Sequence, residues 1–392
     1  MTVRSSWLLL VGLAVATAVH AAPARRADPA YLATIVDDEA DPLPRVRAAH
    51  EPASHRSPAP PWSTTMAAAP PGPVRAQTEY EANHGLMIRW GAFNALHTAM
   101  IVPITTADPP SDVWIVVSGA GQAQSARDVL AGGGADLDRV HFITAVSDSV
   151  WIRDYGPRFI DDAGRRAISD HIYNYASGRP NDDRVPQAVA VQLGEAIYDF
   201  PLHHGGGNFH LFRNREAYMT RLIVNDNPGV SEQQIKDYYA AHQGLDVTLT
   251  DPFPQSYDGT QHIDMWMLPL ADDKVLIGDY AAGEGGGVPK TVTDATAALM
   301  QERGYTVYRT PGWHAAGAHY TYTNSVILNR LALVCQFSGY AAQNAQVVAT
   351  YQTALPGHEI VPIDCSSIIG LAGAIHCIVM HVPDLLFRND YD

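Results

Sequence analysis

From Glu79 onward, short apolar runs of strand length alternate with longer stretches of helical composition, and this interleaving restricts the chain to α/β folds. Residues 85–90 (Gly-Leu-Met-Ile-Arg-Trp), 100–104 (Met-Ile-Val-Pro-Ile), 113–117 (Val-Trp-Ile-Val-Val) and 140–144 (Val-His-Phe-Ile-Thr) read as strands, as do the shorter runs 275–278 and 325–328. Residues 122–130, 186–197, 231–242 and 291–303 read as helices. No glycine-rich fingerprint follows the first strand, which argues against a dinucleotide-binding fold. Neither an internal repeat nor a division into two domains is legible.

The N-terminal part reads differently. Arg4, the apolar run from Trp7 to Val19 and a small-x-Ala site at 19–21 have the form of a secretory signal peptide over residues 1–21. The run is short for a membrane span, and no later segment approaches that length. Residues 22–75 are rich in Ala, Pro, Arg and Asp without sustained periodicity, and are expected to be a disordered linker before a catalytic domain at 76–392. The alternative is that part of the segment, for instance around Tyr31–Val36, packs along the domain.

A formal net charge of −15 makes a nucleic-acid partner implausible, because phosphate contacts require clustered Lys and Arg. The protein is expected to be exported, periplasmic or secreted, and thus to meet an oxidising environment. Its three cysteines, at 335, 365 and 377, leave at least one without an intramolecular partner. Cys335 and Cys365 either bridge or remain two buried thiols, and Cys377 has the most suggestive surroundings.

Four constellations stand out. Asp154, in the segment from Trp151 to Pro157, is placed on a loop at a strand end, where the competing reading is a backbone cap. His262 and Asp264 would share one face of a strand, as an acid/base beside an electrostatic clamp, as an inconsequential surface pair, or less convincingly as metal ligands without a third partner. Gly205–Gly207, after His203 and His204, allows either close backbone approach to a ligand or a simple tight turn. A small-residue loop at 370–374 leads to Cys377, an activated thiol if positive charge or helix-terminal N–H groups are near, and otherwise an inert buried one.

One reaction uses these groups together. A guanidinium is a planar cation with its donors in a fixed fork. Two carboxylates, Asp154 and Asp264, can grip it along different edges. A thiolate at Cys377 can then attack the central carbon, and His262 can protonate the departing ammonia and activate water. No cofactor or metal is required.

The order Trp-x-x-Asp-x-Gly-Pro (151–157), Gly-Gly-Asn (206–208), His-x-Asp (262–264), Thr-Asn-Ser (323–325) and Gly-x-Ile-His-Cys (373–377) resembles the agmatine deiminase and bacterial peptidylarginine deiminase family, over roughly residues 76–392. Glu79-Tyr80-Glu81 and the strand after it are similar to that family's opening. The resemblance implies a five-bladed pseudosymmetric α/β propeller with its active site on the axis. By motif matching it implies that Asp154 and Asp264 bind the guanidinium, that His262 is the acid/base and Cys377 the nucleophile, and that Asn324 lies beside the nucleophile. Trp151 stands in a matching motif and is carried as a substrate-binding residue. Tyr173-Asn174 and Arg179–Asp182 resemble the exported peptidylarginine branch, where an arginine pair in this stretch binds the carboxylate of a C-terminal arginine. Only Arg179 is retained here, with Arg184 as a candidate substitute.

The expected function is hydrolytic deimination of an arginine-type guanidinium, in peptidyl-arginine or free arginine, to a ureido group and ammonia. The alternative is agmatine deimination to N-carbamoylputrescine, in putrescine biosynthesis. A non-catalytic binding protein and a Cys-His-Asn hydrolase are rivals from other classes, the latter giving the paired aspartates no role. The partner is a guanidinium-bearing small molecule or peptide. The sequence says nothing about oligomeric state.

Overall fold

The computed structural model describes residues 22–48, 51 and 68–384. The expected signal peptide lies outside them. Five sheets are arranged in sequence along the chain. Each contains a parallel strand pair joined by a crossover helix, with an antiparallel strand on the near edge.

The second sheet shows the unit. Arg158–Asp162 pairs antiparallel with Arg165–Tyr173, and helix Val185–Leu193 then carries the chain to the parallel strand Ala196–His204. The unit recurs at His210–Leu211, Glu216–Thr220 and Asp246–Thr250, around helix Glu232–Gln243. It recurs at Met267–Ala271, Lys274–Asp279 and Thr306–Ala315, around helix Val288–Glu302, and again at Val326–Leu328, Leu331–Gln336 and Glu359–Asp364, around helix Ala341–Ala354. The first sheet is completed by the other end of the chain. Its antiparallel strand is the C-terminal Val379–Pro383, paired with Asn83–Arg89, which runs parallel to Asp112–Val117. This is the five-bladed α/β propeller that the sequence resemblance implies.

Two local expectations change. Residues 100–104 are not a strand but part of helix Asn94–Thr106, with Pro103 inside it. Most of that helix is buried, so its polar stripe is missing and periodicity cannot distinguish it from a buried strand. His262 and Asp264 are not on a strand either. His262 has extended backbone and Asp264 lies in the single 3₁₀ turn Ile263–Met265.

The expectation of a disordered linker changes for the described part of that segment, residues 22–48, 51 and 68–75. Residues 22–48 and Glu51 form a strap along the domain. Tyr31 donates its hydroxyl to Val129 O at 2.7 Å and fits against Gly132, where any Cβ would collide with its ring. Asp37 accepts the amide of Asn94, and Ala24 donates to Glu359. Ala24, Ala27 and Ala48 are buried. Composition suggested a tail because the strap makes almost no periodic secondary structure, only the turn Pro29–Leu32.

Cys335 and Cys365 form a disulfide across the parallel pair Leu331–Gln336 and Glu359–Asp364, leaving Cys377 as the free cysteine. The bridge spans 30 residues of sequence. Replacing both cysteines with serine is expected to cost about 2–4 kcal/mol, by relaxing the constraint on the unfolded chain. A urea titration would show this as a lower midpoint with a steeper slope, because the unbridged unfolded chain exposes more surface.

Candidate active site

Each blade sends one loop, immediately before its antiparallel strand, to the common axis. Asp154, in the helical turn Ile152–Tyr155, precedes Arg158–Asp162. Gly205–Gly207 precedes His210, His262 and Asp264 precede Met267, Asn324 precedes Val326, and Cys377 precedes Val379. Fifty-three residues separate Asp154 from Gly207, and the same number separates Asn324 from Cys377. The repeat therefore shows in the placement of these residues and not in their type.

The centre of the site holds a guanidinium from the protein's own strap, that of Arg45. Asp154 grips one edge, with Oδ2 at 2.8 Å from Nε and Oδ1 at 2.9 Å from Nη2. Asp264 grips the other, with Oδ1 at 3.1 Å from Nη1 and Oδ2 at 3.0 Å from Nη2. His262 Nδ1 lies 2.8 Å from Nη2. Both carboxylates and the arginine side chain are fully shielded from solvent. Cys377 is equally buried, with Sγ 3.2 Å from Asn324 Oδ1 and 3.7 Å from Asp264 Oδ2.

Two glycines make room for this packing. A Cβ on Gly207 would strike the Arg45 guanidinium and approach both carboxylates, so the segment 205–207 is a close-approach wall and not merely a turn. Gly207 also donates its amide to Asp154 Oδ1 at 2.9 Å. On the other side, a Cβ on Gly373 would meet Trp151, Cys377 Sγ and Arg45 Cδ at 3.1 Å or less.

The electrostatics follow from burial and from this cation. Burial, the largest single influence, raises both carboxyl groups, but the Arg45 guanidinium together with His262, and for Asp264 also His376, holds them well below the usual carboxylate range. Burial pushes the Cys377 thiol well above its ordinary value, the guanidinium pulls it down, and the two aspartates push it up. The thiol thus depends on a bound cation to ionise.

Asp264 has support that sequence reasoning left without a role. His376 Nδ1 lies 2.9 Å from Asp264 Oδ2, and its Nε2 lies 3.0 Å from Glu79, which is paired with Arg153 at 2.8 Å. Burial and Arg153 oppose a proton on His376, but Glu79 and Asp264 outweigh them and raise its pKa. Glu79, His210 and His376 bring ligand atoms within 4.8 Å of one another, yet both ring nitrogens of His376 are already engaged by carboxylates. The cluster therefore serves Asp264. Both Glu79 and His376 stand inside motifs read from the sequence, and for His376 its position beside Cys377 was the available signal.

The backbone around Arg45 is also held. Its amide donates to Leu371 O at 2.8 Å, and the Trp151 indole N–H donates to Leu43 O at 2.8 Å. Arg179 Nη2 donates to Pro44 O at 2.8 Å and Val46 O at 2.9 Å, so one guanidinium spans the two carbonyls flanking the arginine. Arg179 also forms a two-point ion pair with Glu51. All seven residues singled out from the sequence, Trp151, Asp154, Arg179, His262, Asp264, Asn324 and Cys377, thus converge on Arg45 or its immediate surroundings. Arg184 instead sits in a short 3₁₀ turn, with no contact to Arg45 among the described interactions.

Known proteins agree with this architecture. The agmatine deiminase of Pseudomonas aeruginosa is 26% identical over 314 residues, covering 68% of this chain and 82% of its own. That of Pseudomonas fluorescens is 25% identical over 342 residues, covering 74% and 87%. Among solved structures, the agmatine deiminase of Enterococcus faecalis superposes with a TM-score of 0.69 at 18% identity, over 83% of this chain and all of that one. A substrate-bound agmatine deiminase of C. jejuni gives 0.68 at 15% identity, over 79% and 96%. The sequence matches the family of Porphyromonas-type peptidyl-arginine deiminases over residues 78–383, and the chain belongs to that family.

Proposed function

We propose that this enzyme deiminates arginine within a polypeptide, converting its guanidinium to a ureido group with release of ammonia. The observation that carries this is the strap itself. An internal arginine lies between Asp154 and Asp264, while Arg179, Trp151 and Leu371 engage the peptide groups on either side of it. Agmatine has no peptide groups to satisfy them. The Arg179 contacts favour recognition of main-chain carbonyls over the C-terminal carboxylate that the family resemblance implies.

In the mechanism we infer, Cys377 ionises in the field of the guanidinium and attacks Cζ. His262, beside Nη2, protonates that nitrogen, and ammonia departs as the C–N bond breaks. Asp154 and Asp264 fix the plane and stabilise positive charge in the thiouronium intermediate. A water deprotonated by His262 then attacks the same carbon, the C–S bond breaks, and the ureido product forms. The Cys335–Cys365 disulfide supports an oxidising, exported location.

Ammonia release should be compared for a peptide with an internal arginine, one with a C-terminal arginine, and agmatine. The internal peptide is expected to have the highest kcat/KM, and a preference for agmatine would sink the proposal. Arg179→Ala should lower kcat/KM on the peptide by roughly 10- to 100-fold, through loss of charged hydrogen bonds, without a matching loss on agmatine.

A further inference from the structure

We propose that Arg45 is the enzyme's own first substrate, deiminated within the chain, and that the resulting citrulline releases this part of the strap and opens the site. The inference rests on the reading of the site as a peptidyl-arginine deiminase and extends it to a modification site on the protein itself.

The geometry is that of an occupied substrate pocket. The Arg45 guanidinium satisfies both carboxylates and lies beside His262. Its side chain lies against the wall that also touches Cys377 Sγ, at Gly373. Arg45, Asp154 and Asp264 have no solvent exposure, so an added substrate cannot reach the thiol while the strap is seated. A tethered occupant also competes at an effective concentration on the order of millimolar. The strap and the chemistry are thus mutually exclusive unless the strap is processed or leaves.

The reaction supplies a reason for it to leave. The Cys377 thiol gives up its proton to His262, the Sγ–Cζ bond forms, the Cζ–Nη2 bond breaks, and Nη2 departs as ammonia with that proton. Water then adds to Cζ, the C–S bond breaks, and the thiol is regenerated. The net exchange is one nitrogen for one oxygen, with water consumed and no oxidant or reductant involved. Nη2 had faced Asp154 Oδ1, Asp264 Oδ2 and His262 Nδ1 at 2.9, 3.0 and 2.8 Å. An oxygen left in that place is an acceptor confronted by two carboxylate oxygens, and the cation that paired those buried carboxylates is gone. The rest of the strap has its own anchors, Tyr31 on Val129 and Asp37 on Asn94. Release is therefore local to the stretch around residue 45.

Mass spectrometry of the purified full chain tests this at residue 45. Citrulline is expected there in the wild type, with loss of tryptic cleavage after that residue, and arginine in Cys377→Ala. Incubating Cys377→Ala with a trace of wild type should leave its Arg45 intact. Conversion in that mixture would overturn the intramolecular route. Arg45→Lys keeps a cation that has no guanidinium carbon, and is expected to turn over an added arginine peptide at least about tenfold more slowly than the neutral Arg45→Gln. Equal rates would show that the strap does not block the site. A wild type that deiminates the added peptide yet keeps arginine at 45 overturns this inference and leaves the proposed function standing. Failure of both wild type and Arg45→Gln on every guanidinium substrate would overturn the function itself.

Discussion

Cys377→Ser is expected to abolish ammonia release, measured in the Arg45→Gln background so that the strap does not compete. Removing the nucleophile of a covalent mechanism costs on the order of 10⁶ in kcat, which takes the rate below detection. The variant should fold, because serine fills nearly the same volume and its hydroxyl can donate to Asn324 Oδ1, the nearest partner of Sγ. Retained turnover would exclude a thiouronium route. The same thiol gives a pH signature. Burial and two carboxylates raise it, and the guanidinium is the main group opposing them, with a smaller contribution from the Ala374 amide. In Arg45→Gln, alkylation by iodoacetamide should rise only at distinctly alkaline pH, and a bound guanidinium compound should shift the ionisation to lower pH.

Asp264→Asn and Asp154→Asn are expected to lower kcat/KM by roughly 10²–10³-fold each, the cost of breaking a buried charge pair by removing one partner. Each aspartate uses both oxygens on one edge of the guanidinium, and an amide can supply only one acceptor there. A second readout separates lost binding from general disruption. Asp264 and Asp154 both push the Cys377 thiol upward. Either substitution should therefore bring alkylation of Cys377 to lower pH even as turnover falls. If both variants were nearly silent, the two-edge clamp would have no part in the reaction.

Much of this site was legible in the sequence, because the residues doing the chemistry are few, polar and set among glycines. The aspartates, His262, Asn324 and Cys377 stood out as motifs whose residue types only guanidinium chemistry uses together. The fold was legible as α/β and no further. The five blades share a topology and a loop position, but that position carries Asp154, Gly207, Asp264, Asn324 and Cys377 in turn, so no residue repeats. His262 and Asp264 were placed on a strand because two-residue spacing suggests one, whereas a 3₁₀ turn brings them to the same ligand. Residues 100–104 were misread because a helix buried on most sides loses its periodicity. Arg45 was missed because its segment has no repeating pattern. An extended strap is held by single hydrogen bonds to distant residues, and these leave no trace in local sequence.

The ring is closed by the pairing of Val379–Pro383 with Asn83–Arg89, and Cys377 lies just before that last strand. A chain made from the N-terminus thus carries its plug long before its reactive thiol. Arg45 and both aspartates are synthesised first, and the sulfur arrives only with the segment that seals the propeller. Translation products that end between residues 264 and 377 contain the cation and both aspartates but no thiol to attack an arginine.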